Sequence, residues 1–121
     1  MGLYENQVEE LISSLIADDF LNEGRYAITF AGGKFRIKGW GKVKIKYELK
    51  RNGVSDYCIR KALQAIDNEA YINMLEKQML LKGKALETEK NLFIKKNKIR
   101  NYLLQKGFEN DLINDTLHKI N

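Results

Sequence analysis

KIKYELKRNGVSDYCIRKALQAI, residues 44–66, and KIRNYLLQKGFENDLINDTLHKI, residues 98–120, carry one pattern at a constant offset of 54 positions. The identical pairs are Lys44/Lys98, Ile45/Ile99, Leu49/Leu103, Gly53/Gly107, Ile59/Ile113, Leu63/Leu117 and Ile66/Ile120. Most of these positions recur every three or four residues, which is the spacing of a helical face and not the period of two of a strand. The sequence therefore predicts an internal repeat of helix, glycine turn and helix.

The glycine in the middle of each copy is placed where a helix would end in a left-handed C-cap. The residues before this glycine are basic, which is typical of the last turn of a helix. The residues after it are of the types that begin a helix. These are Lys50 and Arg51 before Ser55–Asp56 in the first copy, and Lys106 before Glu109–Asn110 in the second.

The stretch just upstream supports two interpretations. Residues 34–53 (KFRIKGWGKVKIKYELKRNG) alternate basic and apolar residues, which alone is typical of a β-hairpin with one basic face. The second copy keeps the Ile and Leu positions and the glycine without the alternation, which favours a helix from about Lys42. Phe35 and Ile37 then end the preceding helix, and Gly39–Trp40–Gly41 forms the corner between two helices.

Three further segments have helical spacing. Residues 5–17 are one, a second follows Asn22 as its predicted N-cap, and residues 69–83 are the third, before a polar connection at residues 84–91. The fold class predicted is all-α, with tandem three-helix repeats that form an elongated, curved helical array. The predicted domains are the last helix of a first repeat (1–17), a central repeat (18–67) and a C-terminal repeat (68–121).

The composition is that of a globular protein, with 31% charged and 44% hydrophobic residues in 121. No apolar run approaches the roughly 18 residues of a membrane span, so no membrane contact is expected. A single cysteine fits a reducing compartment, and we expect a cytoplasmic protein.

Positive charge is concentrated in the middle of the chain. Residues 1–33 hold one base and six acids, whereas residues 34–61 hold ten bases and two acids, a net charge of +8. Such a block is explained either by an anionic partner, nucleic acid or an acidic protein groove, or by solvated helix faces. The residues predicted to bind a partner or DNA are Lys34, Arg36, Lys38, Trp40, Lys42, Lys44, Lys46, Lys50 and Arg51.

Enzymatic chemistry has little support in the residues available. The chain has one histidine, His118, and one cysteine, Cys58, so we expect no catalytic residues, no metal site and no cofactor. Asp18–Asp19 lacks a third ligand and is interpreted as a solvated pair. Trp40 is either a core residue between two helices or an exposed stacking group among bases.

A longer motif resembles a known family. The matching residues are Phe20-Leu21-Asn22-Glu23-Gly24-Arg25-Tyr26-Ala27, Phe30, Lys34, Gly39-Trp40-Gly41, Ile45, Glu48-Leu49, Gly53-Val54 and Ala62-Leu63. They resemble the RecX family, bacterial regulators of the RecA recombinase, and the second copy resembles that family's last repeat. Asn22 stands where the family usually has Asp, Gly24 replaces a residue more favourable to a helix, and most of the first repeat is absent.

The resemblance implies a regulator without chemistry of its own. Such a protein would lie as a monomer in the groove of the RecA–DNA filament and inhibit ATP turnover, strand exchange and filament extension, in recombination, repair and the SOS response. The concave basic face would follow acidic protein lobes and DNA phosphates together. One alternative is a general nucleic-acid-binding helical module, and another is a structural scaffold with solvated bases.

Overall fold

A computed structural model describes residues 21–120, with the side chains of residues 21–119. Within this range the chain forms six helices and no strand, which confirms the all-α prediction and excludes the hairpin. The helices are α1 (residues 21–33, continued by a π-helical turn at Lys34–Lys38), α2 (Lys42–Arg51), α3 (Asp56–Gln64), α4 (Asn68–Ala85), α5 (Leu92–Lys106) and α6 (Asn110–Ile120). The predicted helix at 5–17 and the Asp18–Asp19 pair lie outside the described residues.

The residues that the two copies share form much of the core. Ile45 and Ile99, Leu49 and Leu103, and Ile59 and Ile113 are all buried. Helix α2 packs on α3, and α5 packs on both α4 and α6. The apolar stripe of the repeat therefore faces inward in each copy, as the spacing predicted.

Both glycine turns are built in the same way. Gly53 and Gly107 have φ of +82° and +96°. The N–H of Val54 donates to the Leu49 carbonyl (3.0 Å), and that of Phe108 donates to the Leu103 carbonyl (3.1 Å). These bonds are those of a Schellman motif, which ends a helix on a left-handed residue and confirms the predicted C-caps.

Side-chain caps start three of the helices. The Ser55 hydroxyl accepts from the Cys58 N–H at α3, the Asp67 carboxylate accepts from the Ala70 N–H at α4, and Asn91 caps α5. Ser55 confirms the predicted start of α3. The Ser55 N–H also donates to the Glu23 carboxylate, which ties α3 to the beginning of α1.

The predicted N-cap of α1 was wrong, because residues 21 and 22 are already helical. Asn22 is exposed and lies inside the helix, where asparagine costs less than about 1 kcal/mol relative to alanine. Burial of Ala27 and Ala31 on the core side of α1 outweighs such a local preference. Cys58 is buried in the same core, in agreement with its interpretation as a packing residue.

Candidate partner-binding surface

The corner between α1 and α2 organises the basic residues around it. Helix α1 ends in the wide turn Lys34–Lys38, and Gly39 follows with φ of +68°, its N–H donating to the Phe35 carbonyl over 3.0 Å. Gly41 is extended, and α2 begins at Lys42. The left-handed glycine ends α1, and Gly39–Trp40–Gly41 links it to α2, which confirms the predicted helix–corner–helix arrangement.

The first turn of α2 has no side-chain cap, and other parts of the chain satisfy its N–H groups. Gly41 N–H donates to the Lys106 carbonyl (2.8 Å) and Val43 N–H to the Gly107 carbonyl (2.9 Å). The backbone N–H of Lys42 donates to the Tyr71 hydroxyl over 2.8 Å. The start of α2 and the end of α5 thus satisfy each other's terminal backbone groups.

Close packing at this junction requires glycine. A Cβ on Gly41 would lie 2.3 Å from the Gly107 carbonyl, and a Cβ on Gly107 would lie 2.3 Å from the Lys44 Cβ. Gly39 faces α4, where the buried Gln78 side-chain amide donates to the Gly39 carbonyl over 2.7 Å. These contacts hold the corner against α4 and α5.

Tyr71 lies at the centre of the junction and is 1% exposed. Its ring packs between Phe35, at 5.8 Å between centroids, and Phe108, at 5.3 Å. Its hydroxyl donates to the Glu109 carboxylate while accepting from Lys42. Burial, aided by the hydrogen bond to Glu109 and opposed by the Lys42 N–H, raises the pKa of Tyr71 far above its usual value. The phenol therefore remains a hydrogen-bond donor.

Trp40 combines the two roles considered from the sequence. It is partly buried against the core, with its ring 6.3 Å from that of Phe30 in an edge-on arrangement. The Nζ atoms of Lys34 and Lys44 lie 5.0 and 4.5 Å from the indole centroid. The structure thus brings three of the predicted site residues together in one cation–π cluster.

The other predicted bases lie elsewhere around α2 and the corner. Lys42 places its Nζ 4.8 Å from the Tyr71 ring. Lys46 and Lys50 line a shallow groove toward α3, and Lys50 lies 3.8 Å from the Asp56 carboxylate. Three bases remain. Arg51 lies 4.0 Å from Glu48, and Lys38 is exposed at the end of α1. Arg36 extends beside Gly32, at a second groove that residues of α1, α3 and α4 line. The nine residues are therefore distributed around the corner and not aligned in one row.

A second lysine–aromatic cluster was missed by the sequence reasoning. Tyr102 of α5 lies between the Nζ atoms of Lys82 (5.0 Å) and Lys106 (5.9 Å). Lys106 also donates to the carbonyl of Lys38 over 3.1 Å, which places this cluster beside the corner. The sequence did contain a signal for this cluster. Lys82 follows Gln78 by four residues and Leu75 by seven, so it lies on the same side of α4 as these buried residues.

Metal sites and membrane-spanning helices are two other features that can indicate function. Between residues 21 and 120 there is no group of three or more His, Cys, Asp or Glu side chains that could hold a metal ion. No helix in the same range is long and apolar enough to cross a membrane. In general, lysine and arginine side chains attract anionic groups by charge, and aromatic rings stack on nucleic-acid bases.

Comparison with known proteins identifies relatives of the chain. Residues 22–63 match the family model of the second three-helix domain of RecX. The "Regulatory protein RecX" of Clostridium acetobutylicum is 34% identical over 119 residues, covering 96% of this chain and 55% of that protein. That of Bacillus cytotoxicus is 29% identical over 114 residues, covering 93% of this chain and 42% of that protein.

A solved structure has the same fold. The crystal structure of RecX from Lactobacillus salivarius superposes with a TM-score of 0.77 at 24% identity, covering 92% of this chain and 71% of that one. The chain spans about half the length of the curated relatives it matches. Over that span the chain is similar to the RecX family of regulatory proteins in one matched domain, in sequence and in fold.

Proposed function

We propose that this chain regulates the RecA recombinase by docking on the RecA–DNA filament, mainly as an inhibitor of ATP turnover, strand exchange and filament extension. The observation that carries the proposal is the similarity to proteins named "Regulatory protein RecX", which match more than nine-tenths of the chain. The chain would act in the cytoplasm as a monomer, through steric and electrostatic contacts and without catalysis.

The basic residues around the corner are the proposed contact surface. Lys38 and Lys46 are exposed, as are Arg36, Lys50 and Arg51, whereas Lys34, Lys42 and Lys44 are held partly against aromatic rings. Exposed bases accelerate association with an anionic surface and add affinity where they become desolvated. Acidic lobes of the protein filament and phosphates of its DNA are both anionic, so the same surface suits a nucleoprotein partner.

The junction supports this proposal because hydrogen bonds tie the surface to other helices. Gly41 and Val43 hydrogen bond to the end of α5, and Tyr71 joins α4 to α2 and to Glu109, the residue before α6. A surface that is ordered before binding loses less conformational entropy on docking than a flexible one. Such an arm would block the motion or growth of a filament by its presence in the groove.

The proposal is tested by the ATPase activity of RecA on single-stranded DNA, with the chain added at substoichiometric amounts. We expect turnover to fall as the chain is added. Unchanged turnover, together with tight binding of the chain to free DNA, would show that the regulatory proposal is wrong.

Charge-reversal variants locate the surface. Lys38→Glu with Lys46→Glu should weaken inhibition, because both side chains are exposed and neither packs on Trp40 or Tyr71. The matched control is Lys90→Glu with Lys119→Glu, which makes the same change in net charge at exposed positions outside the surface. Equal inhibition by both double variants would exclude a role for this surface.

A general nucleic-acid-binding module is the second candidate function. It is favoured by the two aromatic rings, Trp40 and Tyr102, that each lie near two lysine amines. Base stacking on aromatic rings with phosphates held by lysines is typical of sequence-independent single-strand binding. This function requires binding to DNA without RecA, with an affinity that falls linearly on a log–log plot against salt concentration.

A further inference from the structure

Large aliphatic side chains are exposed where α4 and α5 meet, away from the basic residues of the corner. Leu80 and Leu92 are each 60% exposed, and Leu81 is 58% exposed. Leu80 and Leu92 lie on neighbouring helices and line the same groove. Adjoining exposed leucines, unlike single ones, mark a surface that other molecules bind.

The groove between the two helices is apolar and concave. It has a volume of about 270 Å³, and the buried side chains of Met79, Ile99 and Leu117 contribute to its lining. Gly83 opens its wall on the α4 side, since a Cβ there would meet only the Ile99 Cδ1, at 3.8 Å. The groove therefore has room for apolar side chains from outside and is not filled by the chain's own residues in the described range.

Basic residues surround this apolar surface. Lys95 and Lys96 line the groove itself. Lys77 and Lys84 line the adjacent surface, which shares Leu80 with the groove. Among the same lining residues the acidic side chain is that of Glu76. An occupant that buries the leucines must therefore bring negative charge to the rim.

We propose that this groove binds an amphipathic helix of a protein partner, with an apolar ridge along one face and Asp or Glu residues on both flanks. A groove between two helices accepts the i, i+3, i+4 and i+7 side chains of a third helix. A second copy of the chain is disfavoured because it would bring the same lysine-rich rim against this one. A flat anionic membrane is disfavoured because it cannot reach a concave floor. The site includes none of the bases between residues 34 and 51, so it is independent of the proposed RecA function.

The experiment uses two fluorescent helical peptides of about 18 residues with the same leucine ridge, a length at which a helix can form. One carries Glu on both flanks and the other carries Lys. We expect the full chain to bind the Glu-flanked peptide, and the Lys-flanked peptide at least about tenfold more weakly, a difference of about 1.4 kcal/mol.

Two variants connect the binding to the groove. Gly83→Leu places a side chain in the groove and replaces a glycine in a helix interior by a better helix former. An unchanged helical circular dichroism spectrum and unfolding midpoint then separate lost binding from lost folding. Leu80→Gln with Leu92→Gln removes the apolar walls. Both variants should weaken binding of the Glu-flanked peptide by about tenfold or more. The control Tyr47→Ser, at an exposed aromatic residue on α2, should leave the affinity for this peptide unchanged.

Four results would overturn the proposal. The first is failure to bind the Glu-flanked peptide, and the second is equal binding of both peptides. The third is binding of anionic phosphatidylglycerol vesicles that Gly83→Leu abolishes, with no peptide binding. The fourth is concentration-dependent self-association in sedimentation that the leucine variant abolishes, which would assign the groove to a second copy.

Discussion

The backbone N–H of Gly41 donates a 2.8 Å hydrogen bond to the carbonyl of Lys106, so the first turn of α2 lies against the last turn of α5. A helix that begins without a side-chain cap leaves several N–H groups to be satisfied by other means. Here the carbonyls of Lys106 and Gly107 and the hydroxyl of the buried Tyr71 accept those hydrogen bonds, so the start of α2 is joined to α4 and α5 beneath the basic surface.

Gly41→Ala should destabilise the fold, because its Cβ would lie 2.3 Å from the Gly107 carbonyl. We expect a loss of about 2–4 kcal/mol in the free energy of unfolding, as for a steric clash in a core. Urea unfolding followed by helical circular dichroism measures it. The control is Gly33→Ala, where a Cβ meets nothing within 4 Å and helix propensity predicts a small gain. Similar effects of both variants would contradict the role of the junction.

Alanine at the two repeat glycines should have unequal effects. Gly53 and Gly107 both have positive φ, so each substitution carries about 1–2 kcal/mol of backbone strain. Gly53 faces open space, whereas a Cβ on Gly107 would lie 2.3 Å from the Lys44 Cβ. Gly107→Ala should therefore lower the unfolding free energy more than Gly53→Ala, by at least about 1 kcal/mol. Equal losses in chemical denaturation would mean that the contact with Lys44 has no energetic weight.

Tyr71→Phe should destabilise the chain by about 1–3 kcal/mol, because it leaves the Lys42 N–H and the Glu109 carboxylate without their shared hydroxyl. Glu109→Ala removes the carboxylate that accepts from the Tyr71 hydroxyl. A double-mutant cycle between Tyr71→Phe and Glu109→Ala should give a coupling energy of at least about 0.5 kcal/mol. Additive losses would show that the two side chains do not cooperate.

The same tyrosine predicts a dependence on alkaline pH. Burial first, and then the hydrogen bond to Glu109, raise the pKa of Tyr71 in the folded chain above that of an unfolded tyrosine. The unfolded state therefore loses this proton near pH 10 while the folded state keeps it, so stability is retained below pH 10 and falls above it. Between pH 9 and about pH 11 the parent should lose more unfolding free energy than Tyr71→Phe. Parallel pH profiles would contradict a buried, protonated phenol.

Much of the fold was readable from the repeat itself. Ile45 and Ile99, with Leu49 and Leu103, recur at helical spacing and are buried. Gly53 predicts a turn because few residues other than glycine tolerate a positive φ. The alternation of Lys and apolar residues near Lys44 misleads when read alone, since a short basic helix and a strand can share it.

The site was less accessible from the sequence. Local spacing shows which face of a helix is apolar, but not which helix end meets Gly41 or which side chain reaches the Gly39 carbonyl. Lys82 and Lys106 meet at Tyr102 only because α4 and α5 pack against the corner. Such contacts depend on tertiary docking between residues far apart in the chain. Whether the predicted bases act together in binding remains a prediction.

Co-sedimentation of the chain with RecA filaments assembled on single-stranded DNA tests the central claim most directly. The account predicts that the chain pellets with the filaments, that it pellets far less with the same DNA alone, and that Lys38→Glu with Lys46→Glu releases it while Lys90→Glu with Lys119→Glu does not. Equal recovery with naked DNA and with filaments, or equal recovery of the two charge variants, would contradict it.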